Sequence, residues 1–244
     1  MSLTAKLILS PVLVAQAIST RARLPRLPEP GGERCGVVGR GQPLQLLITG
    51  DSSAAGVGVG HQTDALAQRL CASLAAAAQA CVRWQLHARS GLTTAQTLML
   101  LRELGQHAAD VAVVVSGVND VVDQVPTRRA LAAREALANW LRNGHGVQHV
   151  VFAPLPPIHQ FPGLPQPLRW VAGADARRHN AALAEWARSR GDVSCVDMEV
   201  PLNRGVMAAD GFHPGEPVYR YCANTIAQHI ATHVWPHLHL DARS

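Results

Sequence analysis

The stretch Leu44-Gln45-Leu46-Leu47-Ile48-Thr49-Gly50-Asp51-Ser52-Ser53 decides the fold. Its first six residues form an apolar run of strand length, which predicts a buried β-strand that ends at Gly50. The polar residues Asp51, Ser52 and Ser53 follow at once. In an open parallel sheet, ligands bind beyond the carboxyl ends of the strands. This strand end is therefore the first place to expect a functional site.

Strand and helix signals alternate from this stretch to the end of the chain. Further strands are predicted at 82–87, 111–115, 147–152 and 193–198, and helices at 64–80, 94–105, 127–143, 174–190 and 216–234. The run from Val111 to Val115 is continuously apolar, which is typical of a strand buried on both faces. Regular alternation of this kind predicts parallel βαβ units and a sheet covered by helices on both sides.

The composition indicates one globular α/β domain. The 244 residues are 48% hydrophobic and 16% charged, which excludes intrinsic disorder. The formal net charge of +5 comes from scattered arginines without a basic stripe interleaved with aromatic residues, so no nucleic-acid partner is expected. Five cysteines show no CxxC spacing, and neither a zinc site nor a disulfide framework is expected. The oligomeric state is not determined by these features.

The amino-terminal region differs from the rest. Leu27-Pro28-Glu29-Pro30-Gly31-Gly32 breaks regular structure and predicts a boundary between a segment 1–32 and a single domain 33–244. The apolar run 7–14, followed by Ala15-Gln16-Ala17, resembles a short signal peptide, and cleavage after residues 1–17 would export the protein. Pro11 interrupts this run and favours an uncleaved cytoplasmic chain. The segment then packs on the domain or makes peripheral contact with a membrane.

Four polar groups are expected at the carboxyl edge of the sheet. They are Gly50-Asp51-Ser52-Ser53, Ser90-Gly91-Leu92-Thr93, Ser116-Gly117-Val118-Asn119-Asp120 and Asp210-Gly211-Phe212-His213-Pro214. A serine hydroxyl becomes a good nucleophile when a histidine takes its proton and a carboxylate orients that histidine. We therefore predict Ser52, His213 and Asp210 as a catalytic triad. The Ser52 N–H, the Gly91 N–H and the Asn119 side chain are predicted to form the oxyanion hole.

These four groups resemble the signature blocks of the SGNH hydrolases, also called GDSL esterases and lipases. They run from about Leu44 to Pro214 in the family's order and roughly its spacing. The resemblance implies a three-layer, flavodoxin-like α/β/α sandwich with about five parallel strands, and the same triad and oxyanion hole. It also implies cleavage of carboxylic esters, thioesters or carbohydrate O-acetyl groups without a cofactor. The first block departs from the common Gly-Asp-Ser-Leu, because Ser53 places a second hydroxyl beside Ser52.

Substrate choice is expected to come from the connection between Pro154 and Gly173. Its six prolines predict a long irregular loop, and such loops in compact domains are usually functional. Phe161, Leu164 and Trp170 are expected to line a pocket for the short or medium acyl chain of a small-molecule ester. A carbohydrate O-acetyl esterase and an acyltransferase with the same triad are alternatives. A non-catalytic flavodoxin-like binding module is a further alternative.

Two other patterns favour structural roles. The run Gly56-Val57-Gly58-Val59-Gly60 lacks the GxGxxG spacing of a dinucleotide loop and is expected to form a mobile lip beside Ser52. His229, His233, His237 and His239 have metal-like spacing. Pro236 interrupts that series and no carboxylate or cysteine completes a ligand set, so no metal is expected.

Overall fold

A single six-stranded sheet organises the protein, for which the computed structural model describes residues 3–105, 108–200 and 202–241. The strands are β1 Cys35–Val38, β2 Gln42–Gly50, β3 Ala80–Ala88, β4 Val111–Val115, β5 His149–Phe152 and β6 Val193–Cys195. Their spatial order is β1-β3-β2-β4-β5-β6. Strands β2 to β6 are parallel, and β1 pairs with β3 in the antiparallel direction at one edge. The predicted α/β fold with about five parallel strands is confirmed, and β1 is an unpredicted sixth strand.

Helices cover both faces of this sheet. They are α1 Leu3–Arg23, α2 Ser52–Ala55, α3 Leu66–Ala78, α4 Thr94–Leu104, α5 Val118–Val122, α6 Thr127–His145, α7 Leu168–Arg188, α8 Glu216–His229 and α9 Trp235–Asp241. Two 3₁₀ turns (Gln62–Asp64 and Ile158–Gln160) and a π-helical segment (Ile230–Val234) complete the set. Residues of α3 and α8 share one apolar core, and residues of α4, α6 and α7 share a second core. These cores lie on opposite faces, which makes three layers.

The alternation of side chains along β2 separates the two cores. Leu46 and Ile48 belong to the core with α3 and α8, whereas Leu47 belongs to the core with α4, α6 and α7. All three side chains are at most 1% exposed. Successive strand residues point to opposite faces, so a central strand needs apolar residues at every position. The consecutive apolar residues Leu46, Leu47 and Ile48 of β2 are explained by this double burial.

Two predicted helix boundaries are wrong, and proline placement explains both. Helix α7 begins at Leu168, inside the connection that was expected to be irregular to Gly173. Pro167 is its N-cap, where the absence of an N–H removes no intrahelical hydrogen bond. The predicted last helix, 216–234, is α-helical to His229 and then continues through the π segment into α9. Pro236 is the second residue of α9 and directly follows the π segment, where the regular α-helical hydrogen-bond pattern is already interrupted.

Helix α1 lies against the start of α7. The Gln16 side chain donates from Nε2 to the carbonyl of Gln166 (2.6 Å) and accepts from the N–H of Leu168 (3.0 Å). On the outer side, Val14 and Ile18 are 57% and 66% exposed. No helix within the described part of the chain is long and apolar enough to cross a membrane. The boundary at residue 32 and the membrane contact stay predictions.

Candidate active site

The turn after β2 presents Ser52 at the start of helix α2. Asp51 caps this helix, and its Oδ1 accepts a hydrogen bond from the N–H of Ser53 (3.0 Å). Gly50 makes the turn possible, because its φ is +149° and a Cβ there would lie 1.8 Å from the carbonyl oxygen of Val115. Any side chain at this position would collide with the neighbouring strand β4. The nucleophile is therefore held by a turn that requires glycine.

Ser52, His213 and Asp210 form a continuous chain of hydrogen bonds. The distance from Ser52 Oγ to His213 Nε2 is 3.1 Å, and His213 Nδ1 lies 2.5 Å from Asp210 Oδ2. Because the Asp210 carboxylate accepts a hydrogen bond from Nδ1–H, Nε2 carries no proton and is free to accept the hydroxyl proton of Ser52. The structure thus brings together the three residues that were predicted as a triad.

The second oxygen of Asp210 holds the backbone of the same turn. Asp210 Oδ1 accepts hydrogen bonds from the N–H groups of Phe212 and His213, each at 2.9 Å. Burial on its own would raise the pKa of Asp210, but the hydrogen bonds from the His213 ring and the two backbone N–H groups outweigh it and lower the pKa. Asp210 is therefore ionised at neutral pH and able to orient the imidazole.

The glycine-rich run 56–60 packs on the histidine turn. Gly58 lies so close to this turn that a Cβ would be 2.2 Å from the carbonyl oxygen of Pro214. The Tyr219 hydroxyl of α8 donates to the carbonyl of Val57 (2.6 Å). Gly56 and Val57 are buried. These glycines therefore allow close backbone approach beside Ser52. The mobility expected of this run stays a prediction.

The three predicted oxyanion donors follow three neighbouring strands. Ser52 follows β2, Gly91 follows β3 and Asn119 lies in α5, directly after β4. Asn119 Nδ2 donates one hydrogen bond to the carbonyl of Leu92 (3.0 Å), which orients the amide group and leaves its second N–H for a ligand. Gly91 is exposed. The three residues therefore lie after adjacent strands at the same edge of the sheet, and their joint role as an oxyanion hole stays a prediction.

A buried polar network beneath Asn119 was missed by the sequence reasoning. Asp120 is 1% exposed, and its Oδ2 accepts a 2.6 Å hydrogen bond from the Thr94 hydroxyl. Arg134 is 2% exposed and its guanidinium lies against Gly117. Burial lowers the pKa of Arg134, and the charge of Asp120 partly offsets this effect. The available signal was an arginine on the apolar face of α6, four residues after the buried Ala130.

Asp51 is a second buried carboxyl group beside the triad. It is 1% exposed, and this burial raises its pKa to about 7. The N–H groups of Ser53 and Gly117 and the nearby His213 act in the opposite direction but do not cancel the effect. The group thus titrates in the neutral range, next to the nucleophile.

An apolar cavity of about 70 Å³ opens beside Ser52 and His213. The side chains that enclose it include Val115, Phe161, Met198, Val200, Leu202, Met207, Val218, Cys222 and Ile226. Of the three residues that were expected to line an acyl pocket, Phe161 does so, and Leu164 and Trp170 do not. Trp170 is 47% exposed in the first turn of α7. The early start of that helix carries it away from the cavity.

Two members of the histidine series near the carboxyl terminus, His229 and His233, make other contacts. His229 Nε2 lies 2.8 Å from the Ser194 hydroxyl, and His149 Nε2 lies 3.0 Å from the same oxygen. The ring of His233 stacks on the ring of His229, with 5.1 Å between the ring centroids. Over the described ranges, no group of three or more His, Cys, Asp or Glu side chains is placed to hold a metal ion.

The chain was compared with protein-family models, curated proteins and solved structures. The family model of the GDSL-like lipase/acylhydrolases matches residues 48–221, and a search of curated proteins finds no match.

Solved structures share the fold at low sequence identity. The lipase Lip_vut3 from a goat rumen metagenome is 20% identical, with a TM-score of 0.62 over 78% of this chain and 98% of that one. A family 3 carbohydrate esterase of Clostridium thermocellum is 16% identical, with a TM-score of 0.60 over 82% of this chain and 100% of that one. The acetylxylan esterase Axe2 of Geobacillus stearothermophilus is 18% identical, with a TM-score of 0.55 over 80% of this chain and 97% of that one. By the match over most of its length, this chain belongs to the GDSL-like lipase/acylhydrolase family.

Proposed function

We propose that the protein hydrolyses short-chain carboxylic esters through an acyl-enzyme on Ser52. The observation that carries the proposal is the hydrogen-bonded series Ser52–His213–Asp210 at the mouth of an apolar cavity. A hydroxyl paired with an oriented imidazole is the arrangement that serine hydrolases require. Membership of an acylhydrolase family supports the same reaction class.

Acylation follows from the proton positions in the triad. The Ser52 oxygen attacks the ester carbonyl carbon while His213 Nε2 takes the hydroxyl proton. The carbonyl oxygen becomes negative and is stabilised by the N–H groups of Ser52, Gly91 and Asn119, each of which is worth about 3 kcal/mol in such sites. The tetrahedral intermediate then collapses, the ester C–O bond breaks, and the proton on Nε2 passes to the departing alcohol.

Deacylation repeats these steps with water as the nucleophile. His213 takes a proton from the water as its oxygen attacks the acyl carbon, and the bond to Ser52 breaks as the proton returns to the serine oxygen. The carboxylic acid leaves and the free enzyme is restored. Asp210 stays ionised throughout, and its charge stabilises the imidazolium that forms in both halves.

The size of the cavity supports a short acyl group. About 15 Å³ of such cavity volume accommodates one water-sized group, so a cavity of 70 Å³ holds roughly five groups of this size. Acetyl to butyryl groups fit this space, and the apolar lining favours an alkyl chain over a polar one. We therefore expect turnover to fall steeply beyond about six acyl carbons.

An acetylated carbohydrate is a second candidate substrate, because an acetyl group also fits the cavity. The structural neighbours include an acetylxylan esterase and a family 3 carbohydrate esterase, which supports testing it. Assays with a p-nitrophenyl ester series and with acetylated xylan distinguish the two candidates. Activity confined to the acetylated sugar would replace the alkyl ester proposal.

Two adjacent serines offer a matched pair of variants for the reaction itself. Ser52→Ala is expected to reduce kcat by roughly 10⁶-fold, and to abolish covalent labelling by a fluorophosphonate. Ser53→Ala removes a neighbouring hydroxyl outside the triad, and about wild-type activity is expected. Normal turnover by Ser52→Ala would refute the assignment.

Hydrolysis and acyl transfer share the same acyl-enzyme. The ratio of acid to new ester, measured with a competing alcohol in water, separates an esterase from an acyltransferase. A non-catalytic binding module would show neither product, and its Ser52 would not react with the fluorophosphonate.

A further inference from the structure

The extended segment Glu29–Gly32 connects two loops that flank the nucleophile. On one side, the carbonyl of Gly31 accepts a hydrogen bond from the N–H of Gln62 (2.8 Å). The Gln62 side chain in turn donates from Nε2 to the carbonyl of Ala55 (2.9 Å), the last residue of α2. Gln62 is fully buried. The segment is therefore attached to the helix that begins with Ser52.

On the other side, Glu29 binds the loop that carries Gly91. Its Oε1 accepts hydrogen bonds from both the N–H and the hydroxyl of Ser90, at 2.7 and 2.9 Å. Its Oε2 accepts from Arg34 Nη1 at 2.9 Å, and Arg34 also donates from Nη2 to the carbonyl of Ala88. One carboxylate and one guanidinium thus hold residues 88 to 90 from two directions.

The charge of Glu29 suits this role. Burial on its own would raise the pKa of Glu29, but the Ser90 N–H and the Arg34 guanidinium outweigh it and lower the pKa. The group is therefore ionised at neutral pH. Hydrogen bonds to an ionised carboxylate are shorter and roughly twice as strong as those between neutral groups.

On the side away from Ser90, Gly91 is followed by Leu92, whose carbonyl accepts a hydrogen bond from Asn119 Nδ2 (3.0 Å). Gly91 itself is not packed against other groups in the described part of the chain. It is exposed, and a Cβ added to it would meet no heavy atom within 4 Å. Its N–H belongs to the peptide that follows Ser90, so the orientation of this N–H depends on how Ser90 is held. The two hydrogen bonds from Ser90 to Glu29 therefore help to fix the direction of the Gly91 N–H.

We propose that Glu29 is a positioning residue that holds the Gly91 N–H in the oxyanion hole through its two hydrogen bonds to Ser90. The inference rests on the proposed function, because it assigns a task within the same site. It also gives the segment before the domain a part in catalysis. An oxyanion donor is effective when it is already in place as the negative charge develops, and a freely moving loop does not provide this.

Glu29→Gln and Glu29→Ala test the proposal, with Glu33→Gln as the matched control. Glu33 is exposed, lies directly after the segment, and accepts a hydrogen bond from Gln68 Nε2 through its backbone carbonyl (3.4 Å). We expect both Glu29 variants to lower kcat by about tenfold, part of the 10²–10³ that a whole donor provides, with KM within about twofold. The control is expected to retain wild-type kcat.

A transition-state analogue separates positioning from simple anchoring. A trifluoromethyl ketone adds to Ser52 and forms a negatively charged tetrahedral adduct. Its Ki should rise in the Glu29 variants by the same factor by which kcat/KM falls. If the segment serves as an anchor alone, the melting temperature falls while kcat and Ki stay within about twofold of the wild type, and the proposal is overturned.

The remaining outcomes are also decisive. If Glu29→Ala does not fold, Glu29→Gln and Arg34→Gln are compared, and unchanged kcat and Ki in both overturn the proposal. If the wild type neither hydrolyses esters nor reacts with a fluorophosphonate, the proposed function itself fails. Amide hydrogen exchange at Ser90 and Gly91 then decides the structural part. Faster exchange in Glu29→Gln than in Glu33→Gln supports it, and equal exchange rejects it.

Discussion

Replacing Asp210 with asparagine is the most discriminating change to the triad. The carboxylate uses Oδ1 to accept from the backbone N–H groups of Phe212 and His213, and Oδ2 to accept from His213 Nδ1. In Asp210→Asn the amide oxygen keeps the two backbone hydrogen bonds, and the amide NH₂ then faces Nδ1. The imidazole must move its proton to Nε2, which lies 3.1 Å from Ser52 Oγ and can no longer accept the hydroxyl proton.

The catalytic loss should greatly exceed the loss of stability. This reversal of tautomer in a serine triad lowers kcat by about 10⁴, which corresponds to about 5.4 kcal/mol of activation free energy. The turn keeps its backbone hydrogen bonds and loses the extra strength that a charged acceptor gives. We estimate that loss at about 1 kcal/mol in the free energy of unfolding.

The measurement is kcat with p-nitrophenyl acetate, together with the melting temperature of the same sample. Asp123→Asn is the matched control, because Asp123 is exposed at the end of α5 and lies outside the triad. Near-wild-type kcat is expected for the control. If Asp210→Asn keeps more than about a tenth of the wild-type kcat, His213 does not depend on Asp210 for its tautomer, and the proposed mechanism is refuted.

Three further predictions address other parts of the molecule. Gly50→Ala should lower the free energy of unfolding by about 3 kcal/mol, because the new Cβ would lie 1.8 Å from the Val115 carbonyl oxygen. Chemical denaturation measures this loss, and unchanged stability would contradict the turn geometry. For Asp51 the folded pKa of about 7 exceeds the unfolded value of 3.8, so its stabilising contribution is present below pH 3.8 and is lost as the pH rises through 7. The wild type should therefore lose stability relative to Asp51→Asn between about pH 4 and pH 7 in thermal melts, and parallel curves would contradict this. Ile18→Glu should weaken sedimentation with anionic phospholipid vesicles if the outer face of α1 contacts membranes; equal binding by variant and wild type, or none by either, would count against that contact.

The parallel sheet and the gathering of the site were predictable from particular residues. The apolar runs Leu46-Leu47-Ile48 in β2 and Val111 to Val115 in β4 indicate burial on both faces, and helices supply that burial in a parallel sheet. Because the carboxyl ends of such strands share one edge, the polar groups at Ser52, Gly91 and Asn119 were expected to meet. The contact of His213 with Ser52 follows from the same reasoning, with the two residues far apart in the chain.

Other features depend on tertiary contacts that leave little trace in local sequence. Strand β1 is four residues long and partly exposed at an edge, so it lacks the apolar alternation that identifies a strand. Glu29 lies in a proline- and glycine-rich stretch, and its importance comes from Ser90, which is 61 positions away. The prediction for Trp170 is wrong because Pro167 caps the start of α7, whereas prolines in this stretch predicted an irregular loop.

The large sequence separation between Ser52 and His213 has a consequence for biosynthesis. The ribosome makes the hydroxyl early and the imidazole 161 residues later, and the Tyr219 hydroxyl that closes the turn beside them comes later still. A chain that ends before His213 would carry the serine without its proton acceptor. Such a fragment could not cleave an ester by this mechanism, so hydrolytic competence arises only after His213 has been made, and a proteolytic cut that separates His213 from the sheet would end it.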